Sequence, residues 1–202
     1  MTLEDAYRER REEVLIPITV ALEAHVIELF KDEPRIDRIV ARAKKVCSFM
    51  KKSENLDEKG NKKYTEPLIQ IQDQIGVRIV TFYLSDVERL DQVVLKYFRA
   101  IEFKTVVPDS EWEFGYFGRH YILVIPPDVI DDGVNKDMVP PFFELQLKTL
   151  FQHAWSEAEH DLGYKPGERE LTSDQKRRLA FSSAQAWGAD QVFLQLIHER
   201  SE

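Results

Sequence analysis

The chain has 202 residues, of which 43% are hydrophobic and 32% are charged, as is usual for a soluble globular protein. Its formal net charge of -8 argues mildly against a surface built mainly to bind nucleic acid, although it does not exclude a local basic pocket. No apolar run approaches the roughly 20 residues that span a bilayer, and the charged N-terminus lacks the apolar core of a signal peptide, so we expect a cytoplasmic protein without a membrane partner.

The first half of the chain predicts an alternation of helices and strands. Residues 3–31 have apolar side chains near helical spacing, and Pro17 is expected to split or kink this helix. Residues 36–46 alternate and contain β-branched side chains, which predicts a strand, and a short helix follows. The charged segment 55–64 is typical of a mobile loop, and residues 75–83 predict the second strand.

The second half of the chain continues the alternation. Its predicted elements are an amphipathic helix over 85–101, a strand over 116–127, a turn-rich connector over 128–141, a strand over 142–149, and a helix over 150–164. Thr172 opens a capping-box pattern, so a last helix is expected to run to about residue 199. The side chains expected to be buried along that helix are Ala180, Ala184, Trp187, Leu194 and Ile197.

The order of these elements predicts the fold class. Strands and helices are mixed along the chain, and some connections between strands are too short to contain a crossover helix. We therefore expect an α+β fold, with a mixed β-sheet flanked by helices, in a single domain that spans residues 1–202.

Several predicted strands carry a row of polar side chains on one face, because a strand turns alternate residues to the same side. The residues that share a face within their own strand are Arg42 with Lys44, Gly76 with Arg78, His120 with its alternate neighbours, and Glu144 with Gln146 and Lys148. If the strands are neighbours, these residues and Asp73, which directly precedes its strand, form one surface of cations, carboxylates and an amide. We call this surface the polar floor.

The polar floor has two interpretations. For any single strand, the simpler one is the solvated side of a half-covered sheet. The alternative is a site for magnesium and a polyphosphate, which needs cations for the phosphate oxygens and one or two carboxylates for the metal. Lys44, Ser48 and Lys52 favour the second interpretation, because they repeat at helical spacing and a helix N-terminus beside cations can bind an anion.

The predicted helix after residue 149 has an apolar side and a polar side. The apolar residues Phe151, Trp155, Ala158 and Leu162 are most simply core. On the polar side lie His153, Glu157, His160 and Tyr164, which either support the polar floor or face solvent. Zinc binding is the weaker interpretation, because the H-E-x-x-H pattern and a clear third ligand are missing.

Two further residues have a simple and a functional interpretation. Cys47 lacks the surroundings of a catalytic thiol and is expected to be a small buried residue. Tyr116, next to a glycine, is either an aromatic covering the core edge or a stacking platform for a nucleobase. The chain contains no G-x-x-x-x-G-K-[ST] or G-x-G-x-x-G loop, which excludes P-loop and Rossmann nucleotide sites.

Five segments in order resemble the successive motifs of one enzyme family. They are R-A-K-K-V-C-S-F-M-K-K (42–52), D-Q-I-G-V-R (73–78), G-Y-F-G-R-H-Y (115–121), E-L-Q-L-K-T (144–149) and H-A-W-S-E-A-E-H-D-L-G-Y-K (153–165). Together they resemble the RelA/SpoT synthetase domain, with a motif core over 42–165. The helices on both sides resemble those of its single-domain members, the small alarmone synthetases.

The resemblance implies a nucleotidyltransferase-like fold and a magnesium-dependent pyrophosphokinase. Such an enzyme moves the β,γ-diphosphate of ATP to the ribose 3′-hydroxyl of GDP or GTP, which gives (p)ppGpp and AMP. It also implies a role for each matched residue. These roles are adenine binding for Arg42 and Arg78, ATP phosphate binding for Lys44, Ser48 and Lys52, magnesium binding for Asp73 and Glu144, deprotonation of the 3′-hydroxyl for Glu144, stacking on the acceptor base for Tyr116, and orientation of acceptor and phosphates for His120, Gln146 and Lys148.

Two departures from the family pattern leave the acceptor open. Lys148 stands where the family usually has arginine, and residues 107–114 contain acids but none of the basic residues that usually meet the 5′-phosphates of a guanosine nucleotide. Some single-domain relatives are toxins that pyrophosphorylate the 3′ end of tRNA. Lys62 and Lys63, with residues 176–178, are candidates for a basic patch toward tRNA.

Two further alternatives remain at the level of the sequence. One is a non-catalytic nucleotide-binding module that kept the fold. The other concerns assembly, since relatives are often homo-oligomers and toxin-type relatives can have an antitoxin partner. The long C-terminal helix could serve an interface, or it could equally belong to the core.

Overall fold

The fold is that of a computed structural model, which describes residues 1–107, 110, 113–115, 118–163 and 171–200. The α-helices are α1 (Leu3–Arg10), α2 (Ile16–Leu29), α3 (Val46–Ser53), α4 (Pro67–Gln70), α5 (Leu84–Tyr97), α6 (Leu150–Gly163) and α7 (Ser173–Glu199). A π-helical turn, Arg11–Leu15, joins α1 to α2, and short 3-10 turns occupy Pro127–Val129 and Lys136–Met138. The strands are β1 (Ile36–Ala43), β2 (Ile75–Thr81), β3 (Ala100–Val106), β4 (Gly118–Val124) and β5 (Phe142–Thr149).

The strands form one mixed sheet in the order β1-β2-β5-β4-β3. The central pair, β2 and β5, is parallel, and the other neighbours are antiparallel. The predicted α+β class, with a mixed β-sheet flanked by helices, is therefore confirmed.

Strand β3 was not predicted, and the helix expected over 85–101 ends at Tyr97. β3 lies at the edge of the sheet, and its five central residues are all exposed. Residues 101–104 alternate apolar and polar side chains, as a strand does, but this short alternation follows the amphipathic helix without a turn signal, and its first residue was assigned to that helix. Here only Phe103 makes an aromatic contact with the core, at 5.1 Å between its ring centre and that of Tyr121.

One face of the sheet forms the hydrophobic core. Alternate residues of the two central strands point into it and are fully buried, namely Ile75, Val77, Ile79, Phe143, Leu145 and Leu147. They pack with the apolar sides of α2 and α5, which contribute Ile18, Leu22, Val26, Val87, Leu90 and Val94. Burial of such side chains contributes about 1.5–3 kcal/mol each. This packing occupies the core face, so the opposite face carries the polar residues.

Pro17 does not interrupt the N-terminal helical segment. The chain is helical from Leu3 to Leu29, but its winding changes in the π-helical turn just before Pro17. Proline lacks the N–H that the carbonyl of Glu13 would otherwise accept. The wider π-helical turn accommodates that missing hydrogen bond. The chain therefore stays helical at Pro17, where a split or kink was expected, and only the number of residues per turn changes.

Three expectations of burial were wrong. Trp187 is 45% exposed, and the residues of α7 that are buried are Ser183 and Asp190. In α6, Ala158 is exposed and Leu162 is 55% exposed, because α6 turns polar residues toward the sheet. Cys47 is exposed on α3, whose buried side chain at this end is Phe49.

No helix among the described residues has the length and apolar character that crossing a bilayer requires.

Arg10 connects the N-terminal helix to two distant loops. Its side chain is buried, and its Nε donates to the carbonyl of Met138 at 2.6 Å. Its Nη1 donates to the carbonyl of Leu68 at 2.5 Å and to Oε1 of Gln74 at 3.2 Å. Gln74 directly precedes β2, so this arginine holds the chain at the point where the central strand begins.

We predict that Arg10→Met lowers the free energy of unfolding by about 3 kcal/mol, because it leaves buried carbonyl groups without a charged donor. Urea denaturation measures the change. Arg8→Met is the matched control, since Arg8 is exposed on the same helix and bonds only to Glu4 among the described residues. Its effect should stay within about 1 kcal/mol. Equal losses in the two variants would contradict the role assigned to Arg10.

Candidate functional site

The register of the sheet brings the predicted polar residues onto one face. In one row across the strands, Gly76 of β2 lies between Arg42 of β1 and Glu144 of β5. In the next row, Gln146 of β5 lies between Arg78 and His120. Directly paired residues of neighbouring strands share a face. The polar floor is therefore a real surface, and Lys148 lies beside Val80 in the row after these two.

Gly76 leaves space in the middle of this floor. A Cβ built on Gly76 would meet no heavy atom within 4 Å among the described residues. Any larger side chain would therefore project into the space between Arg42 and Glu144. The missing side chain gives the floor a depression that is open to a ligand and bordered by a cation and a carboxylate.

Asp73 lies at this end of the depression, two residues before β2 begins. Its Oδ2 accepts from Nζ of Lys44 at 2.7 Å and from Nζ of Lys52 at 2.9 Å. Burial alone would raise the pKa of Asp73, but the two ammonium groups outweigh burial and hold the pKa below its usual value. Its Oδ1 is buried and has no hydrogen-bond partner in the described part of the chain.

Glu144 is held in place by its two neighbours on the floor. Its Oε1 lies 2.9 Å from Nδ1 of His120, and its Oε2 accepts from Nε2 of Gln146 at 2.8 Å. Burial alone would raise the pKa of Glu144, but these hydrogen bonds and the charge of His120 bring it below the usual value, while Asp73 opposes this decrease. Asp73 comes three residues before Gly76, which pairs with Glu144, so the two carboxylates lie at the same end of the central strand pair.

These two carboxylates fit a magnesium ion that is shared with a substrate. Magnesium is usually held by one or two carboxylates together with phosphate oxygens and water, rather than by a cage of protein ligands. The unpartnered Oδ1 of Asp73 supplies one oxygen, and Glu144 retains accepting capacity beside it. In the described residues no group of three or more His, Cys, Asp or Glu side chains could hold a metal, which also leaves the zinc interpretation unsupported.

The helix α6 supports the floor from its side. Nη1 of Arg78 donates to Oε1 of Glu157 at 2.5 Å and lies 3.2 Å from Nδ1 of His153. Burial and the charge of Arg78 lower the pKa of His153, which keeps that imidazole neutral and able to accept. Of the two interpretations of the polar side of α6, support of the floor is therefore correct for His153 and Glu157.

Lys148 is the most buried cation of the floor. Its side chain is 2% exposed, and its Nζ donates to Oγ of Ser156 on α6 at 3.0 Å. Burial, with a smaller effect from Arg78, lowers the pKa of Lys148 to about 7. This amine is therefore near its titration midpoint at neutral pH, unlike an arginine in the same place.

Sequence reasoning missed the residues that hold the end of β1. The hydroxyl of Tyr7 donates to the carbonyl of Lys44 at 3.0 Å, and Nε of Arg11 donates to the same carbonyl at 3.2 Å. Both come from the N-terminal helical segment, far from Lys44 in the chain. Such side-chain bonds to a backbone carbonyl leave no pattern in the sequence. The one signal in the sequence was the cluster of arginines over residues 8–11.

The remaining predicted site residues differ in their surroundings. Arg42 is exposed at the border of the floor, and Ser48 is partly buried near the start of α3. Tyr116 and Tyr164 lie outside the described residues. The structure thus brings Arg42, Lys44, Lys52, Asp73, Arg78, His120, Glu144, Gln146 and Lys148 to one sheet face and its edge.

Comparison with known proteins identifies relatives of this site and fold. The family described as "Region found in RelA / SpoT proteins" matches residues 41–169. GTP pyrophosphokinase YjbM from Bacillus subtilis (strain 168) is 24% identical over 164 residues, which are 79% of this chain and 70% of that protein.

Two solved structures share the fold over almost their whole length. Small alarmone synthetase 1 from Bacillus subtilis, bound to its product pppGpp, has a TM-score of 0.75 at 21% identity and covers 96% of this chain and 100% of that chain. A GTP pyrophosphokinase family protein from Streptococcus pneumoniae has a TM-score of 0.76 at 20% identity and covers 98% of this chain and 95% of that chain.

The buried amine of Lys148 makes stability depend on pH. Its pKa in the folded protein is about 7 and its ordinary value is 10.5, so between these values the unfolded chain binds more protons and stability rises with pH. We predict that the free energy of unfolding of the wild type, relative to Lys148→Met, rises from pH 7 to pH 9 by at most about 1.4 kcal/mol per pH unit.

Urea denaturation at several pH values measures this difference. Lys59→Met is the control, because Lys59 is exposed in the loop over residues 55–64. If the curve of Lys148→Met against pH runs parallel to that of Lys59→Met, the buried amine does not titrate in this range.

Proposed function

The chain belongs to the RelA/SpoT family, and on this premise we propose that it is an ATP-dependent pyrophosphokinase. It transfers the β,γ-diphosphate of ATP to the ribose 3′-hydroxyl of GDP or GTP, which gives (p)ppGpp and AMP. The observation that carries this proposal is the open depression at Gly76, with Asp73 and Glu144 at the same end of the central strand pair and with cations beside them.

In this proposal ATP binds over the β1 and β2 side of the floor. Arg42 and Arg78 flank the adenine, and Lys44, Lys52 and Ser48 bind the phosphates. The support is that the ammonium groups of Lys44 and Lys52 converge on one oxygen of Asp73. Several phosphate oxygens carry more negative charge than one carboxylate, so the two lysines can exchange that oxygen for a polyphosphate without moving far.

Asp73 and Glu144 hold magnesium in this proposal. When bound, the ion neutralises negative charge on the phosphate oxygens and orients the transferred group. The low pKa of both carboxylates keeps them ionised at neutral pH, as a metal ligand must be. Release of Lys44 and Lys52 to the phosphates would free the second oxygen of Asp73 at the same time.

Glu144 and its neighbours act on the acceptor. Glu144 accepts the hydrogen bond of the 3′-hydroxyl and takes its proton as the 3′-oxygen bonds to the β-phosphorus of ATP and the bond from that phosphorus to the oxygen of AMP breaks. Gln146 orients the acceptor through its Oε1, which accepts from a ribose hydroxyl and has no partner in the described part of the chain. His120 holds the Glu144 carboxylate, and Tyr116 stacks on the acceptor base. Alignment of two bound substrates can contribute roughly 7–11 kcal/mol to catalysis.

A second function is favoured by one feature of the sequence. Residues 107–114 lack a basic side chain that could meet the 5′-phosphates of a guanosine nucleotide. An acceptor site without such a residue suits the 3′ end of deacylated tRNA, as in toxin-type relatives. We rank this function second, because the net charge of -8 opposes binding of a polyanion.

We predict that label from γ-labelled ATP appears on GDP or GTP in the presence of magnesium, with AMP released in equal amount. GDP, GTP, ADP and deacylated tRNA are offered separately, and products are resolved by chromatography or gel electrophoresis. Label on tRNA alone would select the second function. Absence of AMP with every acceptor would support a non-catalytic nucleotide-binding module and contradict both transferase functions.

We predict that Glu144→Gln reduces turnover by roughly 10²–10⁴-fold, since it removes a proton acceptor and a charged metal ligand but keeps the shape of the side chain. AMP release measures turnover, and circular dichroism verifies the fold. Glu88→Gln, at an exposed site on α5 on the opposite side of the sheet, is the control and should retain activity. A folded Glu144→Gln protein with wild-type turnover would refute the role of Glu144.

A further inference from the structure

A buried serine of α7 contacts the segment that leads into the proposed acceptor site. Ser183 is 2% exposed, and its Oγ donates to the carbonyl of Gly115 at 2.6 Å. Gly115 directly precedes Tyr116, which stacks on the acceptor base in the proposed function. The C-terminal helix therefore holds the backbone directly before the residue that receives the base.

A second contact holds the residue before Gly115. The ring centres of Phe114 and Trp187 are 5.9 Å apart, which is within the range of favourable aromatic pairs. Trp187 follows Ser183 by four residues, so both side chains project from the same side of α7. One side of α7 thus contacts two successive residues of this segment.

The same side of α7 is bonded to the strand that carries Glu144. Asp190 lies seven residues after Ser183, and its Oδ2 accepts from Oγ1 of Thr149 at 2.8 Å, with both side chains buried. Thr149 is the last residue of β5. A rise of 1.5 Å per residue places the two contacts roughly 10 Å apart along α7. The helix therefore fixes the position of Gly115 relative to β5.

The helix α6 gives α7 a second attachment to the floor. Nε1 of Trp155 on α6 donates to Oγ of Ser182 at 3.1 Å and to the carbonyl of Leu179 at 3.3 Å, both on α7. The same α6 bonds to Arg78 and Lys148 of the floor. Gly115 is thus held at a defined distance from the floor through β5 and through α6.

The proposed reaction requires this distance to be constant. Tyr116 holds the acceptor base and Glu144 takes the proton of the 3′-hydroxyl, so the two residues act on different parts of one nucleoside. A small displacement of a bound substrate costs a large part of the advantage of alignment. Gly115 has no side chain of its own to pack, so its backbone carbonyl is the group through which the helix can hold it.

From these contacts we infer that Ser183 is a positioning residue for the acceptor. It acts through the carbonyl of Gly115, which sets where Tyr116 presents its ring relative to Glu144. The inference rests on the proposed function and extends it to a residue outside the motif core of residues 42–165. The proposed ATP site lies on β1, β2 and α3, so ATP binding should not depend on this contact.

We predict that Ser183→Ala raises the KM for the acceptor by about tenfold and leaves the KM for ATP within about twofold. The acceptor is the one that takes label in the transfer assay. Ser183→Thr should restore the wild-type KM, because it keeps the hydroxyl and the cavity of about 120 Å³ beside Ser183 has room for the added methyl group.

Two further variants complete the kinetic test. Thr19→Val is the control, since it removes a buried hydroxyl of α2 that donates to the carbonyl of Leu15 at 2.6 Å, and it should change neither KM. Trp187→Ala removes the contact with Phe114 at a position that is 45% exposed. It should raise the acceptor KM by about threefold, which keeps the test decisive if Ser183→Ala fails to fold.

Hydrogen exchange followed by mass spectrometry tests the contact apart from turnover. In Ser183→Ala the peptide over residues 113–121 should exchange about fivefold faster, while the peptide over residues 142–149 should exchange as in the wild type. Unchanged exchange, an unchanged acceptor KM, or a Ser183→Thr protein as impaired as Ser183→Ala would overturn the role of Ser183 alone. A wild type that releases no AMP with any acceptor would instead refute the proposed function, and this role with it.

Discussion

The candidate site depends on the parallel pairing of β2 with β5. This pairing sets Gly76 beside Glu144 and Arg78 beside Gln146, although these residues lie far apart in the chain. Because side chains alternate, a shift of one residue would turn Glu144 and Gln146 into the core and expose Leu145. The buried residues of both strands therefore fix the register, and the register fixes the polar floor.

The floor balances opposite charges, most of which are shielded from water, although Glu157 is half exposed. Asp73 is paired with two lysines, Arg78 with Glu157, and Glu144 with His120. Such pairs contribute little net stability, because the cost of desolvation is close to the gain from attraction. Their value for function is that each cation is held ready in a defined place. A polyanionic substrate can then replace the carboxylate without a large rearrangement of the protein.

The sequence allowed much of the fold and floor to be predicted, for physical reasons that differ between elements. Strand β5 alternates strictly because one face is buried and the other is polar, so its limits matched the structure. Strand β3 was not predicted because its short alternating segment follows the helix directly, with no turn residue to separate the two elements. In α6, Leu162 was predicted to be buried but is exposed, since apolar spacing does not tell which side of a helix meets the rest of the protein. Bonds such as that from Tyr7 to the carbonyl of Lys44 depend on the folded backbone alone.

The exposed position of Cys47 has a practical consequence. It is the only cysteine of the sequence, and it lies on α3 beside Ser48 and between Lys44 and Lys52. A thiol-reactive dye would therefore attach at one known place without any engineering of the chain. An environment-sensitive fluorophore on this helix, whose Lys52 contacts Asp73, would report a ligand that displaces this contact, independent of whether turnover follows.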